Sequence, residues 1–276
     1  MQTSLRKKIK MNLPLSQIKN MPYADFVGLM GQHNTPPGAS KTIERWIRLG
    51  KISNDSKVLD LACNTGFSSR SVVKAVGCEA KGIDVSKPSI EMAGMLAVND
   101  GIASRVEYAV GDASLIPFMD RQFSHILAGT TFGFIQNRHQ ALKECWRVLS
   151  NEGLLCIATF YYDRTPPEKI LDRVASAVGF RPSGDWDYDW WRIFFETQFT
   201  LVEEEDDVLS VLQEDEVTES VRRFIYSTSL PLKETSEEIK QGCFEKLRDI
   251  RLVLNEHRQY QRFNVSIWKP NDKIRN

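Results

Sequence analysis

The sequence predicts an α/β fold: seven strands in a mostly parallel sheet with helices on both faces, a helical cap before it and an insertion after strand five. Three observations predict it. Between residues 57 and 162, short apolar strand patterns alternate with helical ones, as parallel crossover connections require. The first three of those strands end in, or run directly into, an aspartate: Asp60, Asp84 and Asp112. After the first acid come small or turn-tolerant residues at alternate steps, Ala62, Asn64 and Gly66, which read as a tight loop leading from a strand into a helix.

The elements follow in order. Tyr23 to Met30 has helical spacing, and Ser40 to Leu49 forms a second helix around Trp46. Between them Pro36 and Pro37 stop either helix from continuing. The first strand carries Val58 and Leu59 into Asp60; the second, 78–84, ends at Asp84 and Val85. The third, 105–110, is followed by Gly111, Asp112 and Ala113, and the fourth, 123–129, ends in Ala128-Gly129-Thr130-Thr131. A fifth strand over 153–162 leads into an irregular stretch reaching about residue 197. That stretch contains a helix, 167–178, and the aromatics Trp186, Tyr188, Trp190, Trp191, Phe194 and Phe195. A sixth strand is expected within 198–211, helices at 214–228 and 234–257, and a last alternating strand at 260–269. The chain thus divides into a cap (1–50), a ligand-binding sheet core (51–162), an insertion or lid (163–197), and a C-terminal part (198–276) completing the same domain.

The loop after the first strand excludes two common nucleotide sites. It has no Lys-Ser/Thr pair for phosphates and a metal, and Ala62 and Asn64 stand where a dinucleotide loop favours glycine. An acid at the strand end suits a ligand with an ammonium group, and S-adenosylmethionine is such a ligand. Asp84, 24 positions after Asp60, stands where a carboxylate accepts both ribose hydroxyls of a nucleoside. Asp112, between Gly111 and Ala113, can accept from an adenine amino group, and the small residues from Gly129 leave room at the sheet edge.

From about residue 40 to 162 the chain resembles the class I S-adenosylmethionine-dependent methyltransferases with a type-11 methyltransferase domain. The resemblance rests on the three acids in register and on Trp146 to Leu155, similar to the family's junction between a helix and strand five. It implies a Rossmann-like sheet, S-adenosyl-L-methionine as cofactor, and cofactor contacts from Asp60, Ala62, Asn64, Gly66, Asp84, Val85, Asp112, Ala113 and Gly129. Where the family's loop is acid-x-Gly-x-Gly-x-Gly, this chain has Ala62 and Asn64 at the first two glycines; asparagine tolerates positive φ better than most residues. A narrower resemblance covers Tyr23-Ala24-x-x-Val27-x-x-Met30-Gly31-Gln32-x-Asn34-Thr35-Pro36-Pro37-Gly38 and the pair Asp163-Arg164. These are similar to azole-peptide N-methyltransferases of the plantazolicin type, which methylate an arginine-headed peptide. That resemblance implies an Asp163 facing a guanidinium or an amine.

On the acceptor side, Asp163, Arg164 and Tyr23 are the candidate catalytic residues, with Ser40 and His33 able to reach the same mouth. Residues 203–219 carry nine acids and no Lys or Arg; beside the mouth they would favour a cationic acceptor. His125 reads as a core residue and His139 as solvent-facing. No cluster has metal-ligand spacing, so no metal is expected. Basic and acidic residues balance at 36 each, against a dedicated nucleic-acid partner. No apolar run approaches the roughly 20 residues that cross a bilayer, and the basic start (1–10) reads as a frayed tail instead of a secretory signal. The five cysteines, without paired spacing, read as buried thiols of a cytoplasmic protein. The expected function is methyl transfer to a nitrogen or oxygen of a small molecule or modified peptide. Two other readings stay open: another transfer on the same fold, such as aminopropyl transfer, and a cofactor-binding regulator or inactive subunit. The acceptor, the oligomeric state and the need for a general base are not legible.

Overall fold

The computed structural model describes residues 14–271; the basic start and the first part of the cap lie outside the described residues. The strands are β1 Lys57–Leu61, β2 Glu79–Asp84, β3 Val106–Val110, β4 Phe123–Gly129, β5 Leu149–Tyr162, β6 Phe199–Asp207 and β7 Gln261–Pro270. They form one sheet in the order β3-β2-β1-β4-β5-β7-β6. Pairings from β3 through β5 are parallel, and β7 runs antiparallel between β5 and β6. The strand order reverses between β1 and β4, where an open α/β sheet leaves a crevice beyond its carboxyl ends.

The helices are α1 Leu15–Asn20, α2 Tyr23–Leu29, α3 Ser40–Leu49, α4 Phe67–Val76, α5 Lys87–Asn99, α6 Thr131–Phe134, α7 Arg138–Val148, α8 Glu168–Val178, α9 Tyr188–Glu196, α10 Glu214–Arg223 and α11 Glu237–His257. Strand alternation sorts the core into two faces. Leu59, Leu61, Ile126, Leu155 and Ile157 pack with α7 and α9, while Val58, Leu127, Cys156 and Ala158 pack with α3 and α4. A third cluster joins Ile18, Phe26 and Val27 to Val174 of α8 and to Phe244, Leu247 and Ile250 of α11. α1, α2 and α8 thus share one apolar layer with the long C-terminal helix α11. All five cysteines are buried without disulfides. His125 is a satisfied core residue, Nε2 meeting the Gly50 carbonyl at 2.8 Å and Nδ1 the Ser124 hydroxyl at 2.9 Å.

Two expectations need revision. Strand five begins at Leu149, not near 153, because Leu149 pairs with Phe123 before a register shift in β4. The stretch around 186–195 is not irregular: it holds α9, capped by the Asp187 carboxylate, which accepts from the Trp190 N–H at 2.8 Å. Aromatic residues are modest helix formers, so the sequence hides this helix. Its spacing nevertheless puts Trp191, Phe194 and Phe195 on one buried face. Phe195 meets Phe132 and Trp268 at ring centroid distances of 5.4 and 5.3 Å, joining α9 to α6 and β7. Phe195→Ala is therefore expected to destabilise the whole domain by about 3–5 kcal/mol. Urea unfolding should show a lower midpoint with an unchanged slope; a loss below about 1 kcal/mol would mean that α9 is peripheral.

Candidate functional site

The site begins at the carboxyl end of β1. In the loop that follows, every second residue is left-handed: Ala62 at φ 53°, Asn64 at 48° and Gly66 at 71°. The backbone thus keeps the conformation of a three-glycine loop although only the third glycine is present. At Gly66 no other residue fits, because a Cβ would lie 2.3 Å from the Tyr108 hydroxyl. The turn delivers the chain into α4, whose first turn holds Asp60: the Ser69 N–H and hydroxyl donate to Asp60 Oδ2 at 2.9 and 2.7 Å. The loop also reaches β2, the Asn64 N–H donating to Asp84 Oδ2 at 2.9 Å while the Ser86 N–H donates to Oδ1 at 2.8 Å. Asp112 Oδ1 accepts from the Ser114 N–H and hydroxyl at 2.7 and 2.8 Å. Each acid is oriented by donors from its own or a neighbouring loop.

Asp60 and Asp84 are buried. Burial pushes the Asp60 carboxyl up to about 6, the Ser69 bonds opposing it and the nearby Asp84 charge adding to it. Burial likewise raises Asp84, against the hydrogen bonds from Ser86 and Asn64. Both acids open into a cavity of about 1180 Å³, bounded by the strand ends on one side and by α2, α8 and α11 on the other. That volume exceeds the roughly 300–1,000 Å³ of an ordinary single-ligand site. Asp60, Ala62, Asn64, Asp84, Val85, Asp112, Ala113 and Gly129 all line it, as does Tyr23; Gly66 sits behind the lining, in the turn itself. Two buried acceptors in the wall, Asn64 Oδ1 and Gln32 Oε1, have no hydrogen-bond partner. Such atoms are costly unless a donor meets them. A ligand carrying an ammonium and ribose hydroxyls supplies donors of the required kind, so the residues present fit S-adenosylmethionine.

The acceptor-side expectation needs correction. Asp163 and Arg164 are exposed and lie outside the cavity lining. Their interactions hold the end of β5 to the turn before β7: the Asp163 N–H donates to the Tyr260 carbonyl at 3.2 Å, and Arg164 Nη2 donates to the Gln259 carbonyl at 2.7 Å. The Arg164 guanidinium also lies 5.1 Å from the Tyr260 ring centre. The strand's last inward side chain is Tyr162, one residue earlier. The acidic run is also largely matched within the fold. Asp207 and Glu205 pair with Arg45 and Arg48, Asp206 accepts from Tyr161 and Glu204 from Tyr188; of the nine acids only Asp207 lines the cavity.

In place of Asp163 and Arg164 the cavity gathers Tyr162, Trp191, Arg251, Leu254, His257 and Arg258. Sequence reasoning missed the α11 residues. Arg251, Leu254 and Arg258 recur at helical spacing, but spacing alone does not say which face meets a cavity. His257 Nε2 meets the Tyr162 hydroxyl at 2.8 Å, and burial pushes the imidazole down to about 4. His33 lines the opposite wall, Nδ1 lying 3.2 Å from Arg70 Nη2; burial and the Arg70 charge lower it. Among the described residues no group of acids, histidines and cysteines could hold a metal, and no helix is long and apolar enough to cross a membrane.

Asp60 generates a stability prediction. Its native value of about 6 lies above the ordinary 3.8, so the neutral acid is favoured in the fold. Ligand-free stability is then highest below about pH 4 as regards this group and falls as pH rises through about 6. Asp60→Asn, which keeps an acceptor for Ser69, should stabilise the ligand-free protein by about 3 kcal/mol near pH 8 and by little near pH 4. Urea unfolding at both pH values checks this; an equal effect at the two would remove burial of the charge as the cause.

Comparison with known proteins agrees with this geometry. Residues 59–157 match the Methyltransf_11 family, a methyltransferase domain. A demethylmenaquinone methyltransferase of Thermotoga maritima is 40% identical over 119 residues, 43% of this chain and 49% of that protein. Methyltransferase GfsG of Streptomyces halstedii is 32% identical over 127 residues, 46% of this chain and 44% of that protein. The chain thus matches about half the length of these curated relatives. The crystal structure of the MccD protein is 39% identical, with a TM-score of 0.73, covering 86% of this chain and 100% of that one. A geranyl diphosphate methyltransferase solved with S-adenosylmethionine, at 15% identity and a TM-score of 0.57 over 84% of this chain and 86% of that one, shares the fold. With its seven-stranded sheet, its acid-lined loop and a relative aligned along that relative's full length, the chain belongs to the S-adenosylmethionine-dependent methyltransferases of the type-11 methyltransferase-domain family.

Proposed function

We propose that this protein transfers a methyl group from S-adenosylmethionine to a nitrogen or oxygen of a small molecule or modified peptide bound in the same cavity. The observation that carries the reading is a single cavity, open to solvent at its mouth, with two chemically different walls. One is lined by Asp60, Asp84 and Asp112 at the strand ends; the other is lined by Val174 and Val178 of α8, Trp191 of α9, and Arg251, His257 and Arg258 of α11 and the turn after it.

In this reading Asp60, with Asn64 Oδ1 and Gln32 Oε1, receives the ammonium of the methionine moiety. Asp84 receives the ribose hydroxyls on the carboxylate lone pairs that Asn64 and Ser86 leave free, and Asp112 the adenine amino group. Val85 and Ala113 flank the base, and Gly129 keeps the sheet edge open. When bound, the cofactor supplies a methyl already activated by its sulfonium, so the protein has chiefly to position the acceptor and exclude water. Trp186, Trp191, Val174 and Val178 form apolar walls suited to that task. Tyr23, the first residue of α2, lines the cavity, its phenol raised by burial and therefore neutral at ordinary pH. It can donate a hydrogen bond to an acceptor, where Asp163 and Arg164 cannot reach.

Two outcomes test the reading. S-adenosylhomocysteine should raise the melting temperature with dose, by about 2.7 kcal/mol of stability at a hundredfold excess over Kd, while NAD should not. With an acceptor supplied, the co-product identifies the transfer by mass: S-adenosylhomocysteine for methyl transfer, methylthioadenosine for transfer of the amino-acid side of the sulfonium. No response to S-adenosylhomocysteine would overturn the cofactor assignment, and binding without transfer to any acceptor would return the protein to the regulator or inactive-subunit reading.

Asp84→Ala should weaken S-adenosylhomocysteine by at least about tenfold, since each lost charge-assisted hydrogen bond contributes about 1.5–3 kcal/mol. Calorimetry measures this directly, and an unchanged affinity would remove Asp84 from the cofactor site.

A further inference from the structure

The helical wall of the cavity holds two cations that nothing among the described residues neutralises. Arg251 and Arg258 stand seven residues apart on α11 and the turn after it, with Leu254 between them, so one helix face carries all three to the cavity. Among the described residues neither guanidinium has a hydrogen bond or ion pair. The other arginines drawn into the protein behave differently: Arg70 pairs with Asp100, and Arg147 with Glu144 and Asp120. Burial lowers Arg251, and burial together with the like charge of Arg251 lowers Arg258.

Among the described residues no carboxylate on that wall serves them. The lining acids are Asp60, Asp84 and Asp112 at the strand ends, and Asp207, which is 2.6 Å from Arg45. Two further groups on the cavity lining can donate: the Tyr23 phenol, which feels the Arg251 charge, and the buried Trp191 indole Nε1, which has no partner among the described residues. A wall of unpaired donors carrying two positive charges is unfavourable when empty and complementary to an oxyanion, since guanidinium binds phosphate and carboxylate oxygens bidentately.

We propose that the acceptor of this enzyme is an anion, held by a phosphate or carboxylate group on Arg251 and Arg258 while its nucleophilic atom faces the strand ends. The proposal deepens the methyltransferase reading and rests on it. It reverses the cationic acceptor expected from Asp163 and the acidic run, whose charges are exposed or already paired.

The test uses the full chain saturated with S-adenosylhomocysteine and three probes of one shape: phenyl phosphate, benzoate and benzylamine. Calorimetry should show binding of phenyl phosphate, benzoate or both, and none of benzylamine; the tighter of the two anions identifies the group. Arg251→Gln and Arg258→Gln should each weaken the bound anion by about tenfold. S-adenosylhomocysteine affinity should stay within about twofold, and the ligand-free melting temperature should not fall, because an unpaired, half-buried charge is removed. Benzylamine binding as well as the anions, or anion binding that ignores both substitutions, overturns the proposal. Binding of neither anion does so as well. Loss of S-adenosylhomocysteine binding in the unaltered protein instead overturns the methyltransferase reading, so the two failures are distinguishable. Should a variant not fold, phenylglyoxal labelling of the unaltered protein replaces it. Mass mapping should then show Arg251 and Arg258 protected by the bound anion and not by benzylamine, and absence of protection overturns the proposal.

Discussion

The structure depends on two carboxylates buried at the ends of adjacent parallel strands. Asp60 and Asp84 are held there by N–H groups from the loop and the first turn of the following helix. A buried acid is tolerated only when such donors meet it. That requirement ties the left-handed turns at Ala62, Asn64 and Gly66 to the position of α4 and to the register of β1 on β2. The loop, the helix and the sheet edge are therefore one unit. The left-handed alanine, a conformation that costs roughly 1–2 kcal/mol for a residue with a Cβ, persists because the bonds around it over-determine the turn.

The burial that raises Asp60 and Asp84 opposes the stability of the ligand-free protein at neutral pH. Ligand-free, the site holds acids that would be more comfortable neutral, together with the partnerless acceptors Asn64 Oδ1 and Gln32 Oε1. Across the same cavity the bias has the opposite sign: Arg251, Arg258 and the Trp191 indole are donors without acceptors. The cavity is thus divided by charge, acceptors at the strand ends and donors on the helical layer. A cationic cofactor and an anionic acceptor would each relieve one side and meet between them, which gives electrostatics a part in orienting the two reactants.

The helical layer that carries the second wall is assembled from distant parts of the chain. α1 and α2, α8 and α11 share one apolar cluster, so a single packing interaction places Tyr23, Val174 and Arg251 around one space. The aromatic helix α9 joins this wall to the main core through Phe132, Phe195 and Trp268. Residues after β5 are consequently continuous with the core through their aromatic side chains.

The sequence by itself determined the sheet core and its acid positions. Strand alternation, the spacing of Asp60, Asp84 and Asp112, and the turn-tolerant residues at 62, 64 and 66 are local signals, carried by hydrogen bonds and conformational preferences within a few residues. They sufficed to identify the type of cofactor site. Only the tertiary structure decided the helical wall of the cavity. Asp163 and Arg164 attracted attention by following strand five, yet the chain turns outward after Tyr162 and leaves them on the surface. Arg251 and Arg258 look like ordinary charges on a long helix until packing against α2 and α8 turns that face inward and withdraws it from water. Whether an arginine is a solvated charge or an unpaired, half-buried one depends on what surrounds it, and here the surroundings come from α2, more than two hundred residues earlier, and α8, more than seventy residues earlier. That is a property of packing, which no local pattern records.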